Sequence, residues 1–337
     1  MQATQLNSDL YHVDPDMSAL CRDALRLITF EATGHMGKWE YGPALHSDDP
    51  GAGADLWSKM VSTASDYYVS RSDAELVQWA ISQECLKTRL KDTVNFIEFG
   101  PGSYKSVTEK TLPFLTLSEK TRTFTAVDMS RHFAYEAAWC ATYGTLIKGT
   151  GLQADFTRPL VLRNEGQSCY FILGSTISNM PCPAGSNGFQ DLVKFFSTVL
   201  SSMEQDDFFV CTFDSCSNLD LIMKAYNNLP ARNHGINLAY RLKRDGILLG
   251  DYNPAQWQYE PVWFSDSSQI CHTIYPLISQ RARVAGFDID IPAYRQYVTN
   301  NSYKYNPEFV SWAAVTAGFH DTQILTKGTA SLIIARK

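Results

Sequence analysis

Asn95-Phe96-Ile97-Glu98-Phe99-Gly100-Pro101-Gly102-Ser103-Tyr104-Lys105 is the stretch from which the fold of this chain is read. Five mostly apolar residues have the pattern of a buried strand. Gly100 and Gly102 then allow a sharp turn that brings bare backbone close to a ligand, and a helix-compatible run starts at Tyr104. Strand, glycine turn and helix in this order mark a nucleotide site, although an ordinary strand-to-helix turn has the same outline.

Two cofactor classes share the unit. The dinucleotide fingerprint has a third glycine where the helix meets the sheet, and Lys105 stands there instead. Glu98 ahead of Gly100, and Asp128 closing the next apolar run Phe124-Thr125-Ala126-Val127-Asp128, fit S-adenosylmethionine better. In that arrangement the first loop approaches the amino-acid part of the cofactor. The second acid accepts hydrogen bonds from the ribose hydroxyls.

Outward from this unit, short apolar runs alternate with helical periods. Strands are expected at 94–99, 123–128, 169–173 and 208–213, a further apolar stretch at 152–156, and helices near 104–116, 131–142 and 188–203. That is an α/β sheet with crossover helices, and ligands in such sheets lie at the carboxyl ends of strands, where Gly100, Asp128, Asp155, Gly174 and Asp214 fall. After Asp214 the regularity stops. Residues 216–300 mix a helix at 219–226 with polar turns and aromatic strands such as 259–264. The α/β style returns with a helix at 307–317 and strands at 320–325 and 330–335, so the chain leaves the sheet and comes back. Towards the N-terminus, helices are expected at 17–27, at 54–61 and after Ser70, the last with Ser72 as N-cap and Glu75 three residues on. The Gly-, Pro- and His-rich segment 34–53, interrupted by Trp39 and Tyr41, has the character of a covering loop.

Composition narrows the partners. The chain has 337 residues, of which 45% are hydrophobic, which is ample material for a large core. A net charge of -6 without a basic cluster argues against a nucleic-acid surface, because phosphate contacts need concentrated Lys and Arg. The eight cysteines are scattered singly, with no Cys-x-x-Cys pair and no zinc-like spacing, so no metal is expected and reduced thiols are the simplest account. No apolar run reaches a membrane span, and the first residues lack a signal-peptide pattern. The expectation is a cytoplasmic protein acting on a small molecule.

Ile172-Leu173-Gly174-Ser175-Thr176-Ile177-Ser178-Asn179 resembles the "LGSTIGN" block of the ergothioneine-type histidine N-alpha-methyltransferase family, which includes fungal enzymes acting on tryptophan-derived amino acids. Other blocks follow in order. Residues 66–76 are similar to "YYPTRAEAEIL", 98–103 to "ELGSGS", Ala225-Tyr226-Asn227-Asn228 to "AYDD", and 299–305 to "TEVSxKY/F". The resemblance covers about residues 35–337.

It implies a Rossmann-like class I methyltransferase sheet over 70–215 and 305–337, with 1–69 and 216–304 as an inserted substrate-binding domain. By the same resemblance Tyr41, Gly100, Gly102, Lys105, Asp128, Asp155 and Phe156 hold S-adenosylmethionine. Asn179 and Tyr226 position the α-amino and α-carboxylate groups of an amino-acid substrate and form the catalytic pair. Tyr67, Asn300 and Ser302 complete the substrate site. Each has a structural alternative. Tyr67 and Tyr226 lie on apolar stripes that suit a core, and Asn179 and Asp214 sit where helix caps are common. His234 and His272 are read as structural.

One departure from the family pattern matters. Relatives that recognise histidine carry a carboxylate two residues before the serine, where this chain has Asn300. An amide loses the charge-assisted attraction for an imidazole N–H. The expected substrate is therefore an aromatic, tryptophan-like amino acid, with Tyr240, Trp257, Tyr259, Trp263 and Phe264 as candidate wall residues. The remaining alternatives are histidine N-methylation, a nicotinamide-dependent oxidoreductase and a non-catalytic scaffold.

Overall fold

Residues 17–40, 53–162, 164–180 and 185–337 are described by the computed structural model. Four helices come first: α1 Met17–Ile28, α2 Gly53–Thr63, α3 Tyr68–Ala80 and α4 Glu84–Leu90. In α1, Leu20, Ala24, Leu27 and Ile28 are buried at helical spacing. Helix α3 starts before the expected Ser72 cap. Its flanking residue is Tyr67, and the Ser72 hydroxyl lies inside the helix, where it accepts from Thr329 Oγ1 at 2.9 Å. Burial of Tyr68, whose hydroxyl donates to Asp214 Oδ2 at 2.7 Å, overrides the local capping signal.

The main sheet is built from β1 Asn95–Phe99, β2 Thr123–Asp128, β3 Lys148–Gln153, β4 Ser168–Ile172 and β5 Phe208–Asp214, all parallel. Crossovers are supplied by α5 Tyr104–Ser106 and α6 Leu112–Leu115, joined through a π turn at Val107–Thr111, then α7 Arg131–Thr142 and α8 Phe189–Ser202. The helix expected over 104–116 is thus interrupted, and the wider turn buries both Lys110 and Thr111. Strand β3 begins earlier than the apolar stretch 152–156 because two of its residues are glycines. A Cβ on Gly149 would meet Ala138 O at 2.2 Å, and one on Gly151 would meet Ala134 O at 2.8 Å. Close approach of α7 to this strand requires glycine on one side and alanine on the other.

The chain then leaves the sheet through α9 Leu219–Tyr226 and α10 Leu229–Arg244. Two small antiparallel sheets follow, from β6 Leu249–Gly250, β7 Trp257–Phe264, β8 Gln269–Pro276, β9 Gln280–Val284, β10 Phe287–Ile291 and β11 Tyr297–Tyr303. Their strand orders are β10-β9-β6 and β11-β8-β7. Helix α11 Pro307–Ala317 and strands β12 His320–Lys327 and β13 Ala330–Arg336 return to the main sheet. Its order is β12-β13-β5-β4-β1-β2-β3, with β13 antiparallel to both neighbours. The direction of winding reverses between β1 and β4, and that switch point is where an open α/β sheet forms its crevice.

Two apolar cores cover the faces of the main sheet, one with α8 and α11, the other with α3, α4 and α7. A third joins α1 to α10 and the antiparallel strands. A fourth, holding Met60, Tyr67, Tyr68, Ile222, Tyr226 and Ile270, bridges the sheet to the inserted strands. The crevice opens beside this bridge.

Candidate active site

The floor of the crevice is the row of strand ends. Gly100 and Gly102 have φ of +68° and +73°, conformations in which glycine is the residue without steric cost. A Cβ on Gly100 would be 3.6 Å from Thr176 Oγ1 and 3.7 Å from the Phe156 ring, so backbone conformation rather than space demands glycine there. Phe156 lies parallel to Phe99, with centroids 5.6 Å apart and an interplanar angle of 7°. Asp128 is buried at the end of β2. Its Oδ1 accepts from Ser130 N at 2.7 Å, and burial pushes its carboxyl up to about 7. Asp155 accepts from Thr157 N at 3.0 Å and faces Lys38 Nζ at 3.4 Å. Gly100, Gly102, Asp128, Asp155 and Phe156 all line one cleft.

Lys105 does not reach that cleft. It is half-exposed and stands 4.0 Å from Glu109, on the outer side of α5. The lysine in the wall is Lys110, delivered by the π turn. Its Nζ donates to Asp73 Oδ2 at 2.9 Å and to Leu173 O at 3.0 Å. On the same turn Thr111 donates to the buried Glu98, whose carboxyl burial pushes up to about 8. Tyr41 lies outside the described residues.

The same cleft is lined by Trp57, Tyr67, Asn179 and Asn300. Asn179 ends a 3-10 turn, Thr176–Asn179, aimed by Gly174 at φ 142° and Ser175 at φ 58°. Thr212 Oγ1 accepts from both backbone N–H groups, at 2.9 and 3.3 Å, which holds this sparsely populated backbone in place. Asn179 caps no helix: α8 is preceded by Gly188. Asp214 is not the cap of α9 either, since Asn218 fills that position. Tyr226 and Ser302 form the layer behind Tyr67. The Tyr226 hydroxyl is 2.8 Å from Ser302 Oγ and accepts from Lys304 Nζ at 2.9 Å. The rings of Tyr67 and Tyr226 meet edge to face, with centroids 5.8 Å apart.

Asn300 comes from β11, next to a bulge between Val298 and Asn300 that turns Thr299 and Asn300 towards one acceptor. That acceptor is Glu40. Its carboxylate takes Thr299 Oγ1 and Asn300 Nδ2, each at 3.3 Å, and burial raises it to about 7. His234 Nε2 lies 3.9 Å away, kept neutral by burial that lowers it to about 4. Glu40 follows a 3-10 turn, Gly37–Trp39, tethered to β11 by Met36 N on Thr299 O at 2.8 Å and to α1 by Trp39 Nε1 on Asp23 Oδ2 at 2.8 Å. A Cβ on Gly37 would stand 2.6 Å from Asn300 Oδ1.

The aromatic wall differs from the one expected. Trp257 and Tyr259 are buried in the inserted core and Phe264 is surface-exposed. None of Tyr240, Trp257, Tyr259, Trp263 or Phe264 lines the cleft, where the aromatic residues are Trp57, Tyr67, Phe133 and Phe156. His272 Nδ1 lies 2.8 Å from the Tyr259 hydroxyl.

A sequence profile described as histidine-specific methyltransferase, SAM-dependent, matches residues 44–336. The chain belongs to that family. It is 24% identical over 316 residues to a histidine N-alpha-methyltransferase of Mycolicibacterium smegmatis, covering 92% of this chain and 91% of the relative. A protein of the same description from Mycobacterium tuberculosis is 24% identical over 288 residues, 80% of this chain and 81% of that one. Among solved structures, magnesium protoporphyrin IX methyltransferase from Synechocystis superposes with a TM-score of 0.42 at 11% identity, covering 85% of this chain and 94% of the other.

The protein is an S-adenosylmethionine-dependent methyltransferase with a Rossmann-like class I sheet and an insertion. The cleft fits that cofactor. The positive-φ glycines leave backbone bare at the β1 turn, and Asp128 keeps Oδ2 for a diol while Oδ1 is engaged by Ser130. Among the described residues, no helix is long and apolar enough to cross a membrane, and no cluster of His, Cys, Asp and Glu could hold a metal ion. Sequence reasoning missed Lys38, Glu40, Trp57 and Lys110. A π turn, a tertiary carboxylate contact and a helix brought in from the N-terminal segment leave no local signature of a site.

Proposed function

We propose that this methyltransferase acts on the α-amino group of an aromatic amino acid. The observation that carries the reading is that one cleft is lined both by the strand-end residues Gly100, Asp128 and Asp155 and by the polar and aromatic residues Asn179, Tyr67, Trp57 and Asn300. Gly100, Gly102, Asp128, Asp155, Phe156 and Lys110 would hold the cofactor. When bound, S-adenosylmethionine supplies an electrophilic methyl group on a sulfonium.

The residues of the chain have to orient an amine and keep water out. In this reading Asn179, at the end of a rigid turn, fixes the substrate's polar head, and Tyr67, backed by Tyr226, contacts it as well. The amine loses its proton to solvent before it can offer a lone pair, and no covalent nucleophile is needed. The Trp57 and Tyr67 faces suit an aromatic side chain and the cationic product of N-methylation.

A second reading has its own support. Glu40 places a carboxylate behind Asn300, and a substrate ring N–H donated to Asn300 Oδ1 would gain from that charge, which favours histidine. Both readings are tested by incubating the protein with S-adenosylmethionine and a pool of histidine, tryptophan, tyrosine and related amino acids, followed by mass spectrometry. N-methylated tryptophan or tyrosine is the expected product. Methylated histidine alone would select the second reading, and no methylated amino acid would overturn both.

A further inference from the structure

Lys38 brings a cation into the cleft wall from outside the sheet. It stands on the 3-10 turn Gly37–Trp39, and its Nζ lies 3.4 Å from Asp155 Oδ2. Both residues line the cleft, with side chains 25% and 16% exposed. The turn is held on two sides, by Met36 N on Thr299 O at 2.8 Å and by Arg241 Nη1 on the Trp39 carbonyl. Thr157 donates to the other oxygen of Asp155 through its backbone N–H and its hydroxyl, which leaves Oδ2 to Lys38 and to what enters the cleft. Arg158 Nε is 3.7 Å from Oδ2, but its side chain is 70% exposed and lies outside the lining. An ammonium has three protons to give, and among the described residues Lys38 gives a hydrogen bond to Asp155 alone.

Asp128 keeps Oδ2 for the ribose diol of the cofactor, and a base attached to that ribose has to lie beside it. Ala154 N donates to Asp128 O at 3.1 Å, which brings the next two residues, Asp155 and Phe156, alongside. Met129, Phe133 and Phe156 supply apolar lining for a flat ring. Asp155 and Lys38 add one acceptor and one donor, neighbours in space. Adenine carries the complement on its edge, because the exocyclic amine donates and the ring nitrogen beside it accepts. The separation of 3.4 Å is longer than the roughly 2.7–2.9 Å of a tight charge-assisted pair. A partly exposed ion pair of this kind contributes little by itself, so both groups can turn to a ligand at small cost.

We propose that Lys38 and Asp155 together read the purine edge of the cofactor, with Asp155 Oδ2 accepting from the exocyclic amine and Lys38 Nζ donating to the ring nitrogen next to it, N1 or N7. Lys38 is then a cofactor-recognition residue carried by the N-terminal segment rather than by the sheet. The inference rests on the cofactor lying over Asp128 and Asp155, as in the reading above, and not on which amine is methylated. A lysine that only tethers the turn to the strand end would affect every cofactor analogue alike.

The test is calorimetric binding of S-adenosylhomocysteine and of its 1-deaza and 7-deaza analogues, in which one ring nitrogen is replaced by C–H, to wild-type protein and to Lys38→Met. Wild-type protein is expected to bind one of the two analogues about tenfold more weakly than the parent, the scale of one lost bond to a charged donor. Lys38→Met is expected to bind the parent about tenfold more weakly, while its affinity for that analogue stays within about threefold of wild type, because the bond is already missing. Near-equal wild-type affinities for all three ligands, a comparison that needs no variant to fold, would overturn the proposal. So would a loss in Lys38→Met that is the same for parent and analogue. S-inosylhomocysteine, with a carbonyl in place of the amine, tests the placement beneath. Binding about tenfold or more below the parent keeps the purine amine at Asp155, and equal affinity would overturn that placement and this proposal with it. Weak binding of the inosyl compound without selective loss in Lys38→Met overturns the role of Lys38 alone.

Discussion

Position 300 carries an amide whose chemistry depends on a residue 260 positions earlier in the chain, Glu40, which accepts its N–H. Asn300→Glu would place a second carboxylate against the first, and two acids at such a distance cannot both ionise readily. The single substitution is therefore expected to leave the preference between histidine and tryptophan nearly unchanged, whereas Asn300→Glu with Glu40→Gln moves it towards histidine by about tenfold or more, read as a ratio of kcat/KM. Asn179→Ala and Tyr226→Phe are expected to lower kcat/KM by about 100-fold, with cofactor affinity, measured by calorimetry, within about threefold of wild type. Comparable loss of cofactor affinity in both would remove them from the substrate end. At this scale much of the site was legible. Gly100, Asp128 and Asn179, which line the cleft, are marked by local pattern, because a strand end is a local event. Glu40 does not, since its meaning comes from the bulge in β11 that turns Thr299 and Asn300 to meet it.

Among the elements, β1, β2, β4 and β5 were readable from their apolar runs, and α7 from its helical period. Strand β3 was half hidden, because close contact with α7 replaces its apolar residues by Gly149 and Gly151. Gly149→Ala would drive a Cβ into the Ala138 carbonyl, backbone that cannot step aside. It is expected to cost about 3 kcal/mol or more in urea unfolding. The π turn was unreadable because its extra residue changes the phase of the helix; Lys110 rather than Lys105 faces the cleft as a result. The 3-10 turn Gly37–Trp39 lies against β11, and Gly37→Ala would push the Asn300 side chain aside. The expected outcome is a rise in the amino-acid KM of about tenfold with cofactor affinity unchanged, in keeping with a misplaced positioning group.

Taken as a whole, the molecule buries carboxyls whose values are raised, among them Glu40 to about 7 and Glu98 to about 8 from an ordinary 4.5, and Asp128 to about 7 from 3.8. In each, desolvation is the first cause. Between the ordinary and raised values the folded chain holds protons that the unfolded chain has released, so stability is greatest below that window and falls as pH rises through it. Ligand-free protein is expected to melt at progressively lower temperature from about pH 5 to about pH 8, and Glu40→Gln to flatten that slope. A melting temperature that rises over the same range would contradict the assignment. We propose that the division into a methyltransferase sheet and a substrate-binding insertion runs near residues 70, 215 and 305. The sequence marks that proposed boundary by a loss of α/β rhythm after Asp214 and marks 34–53 as a covering segment, but it gives no sign that α2 joins the 3-10 turn at 37–39 in lining the cleft. Their place is decided by the apolar bridge around Tyr67 and Ile270.

Strand β11 has a consequence for descent. Asn300, Ser302 and Lys304 fall at alternate positions, so they share one side of the chain while Tyr303 between them is locked into the sheet core. The floor of the crevice is made by other strands altogether. Under the proposed function, a lineage that exchanged its substrate would change this short ribbon together with Glu40, and the strands that end at Gly100 and Asp128 would pass through each intermediate untouched.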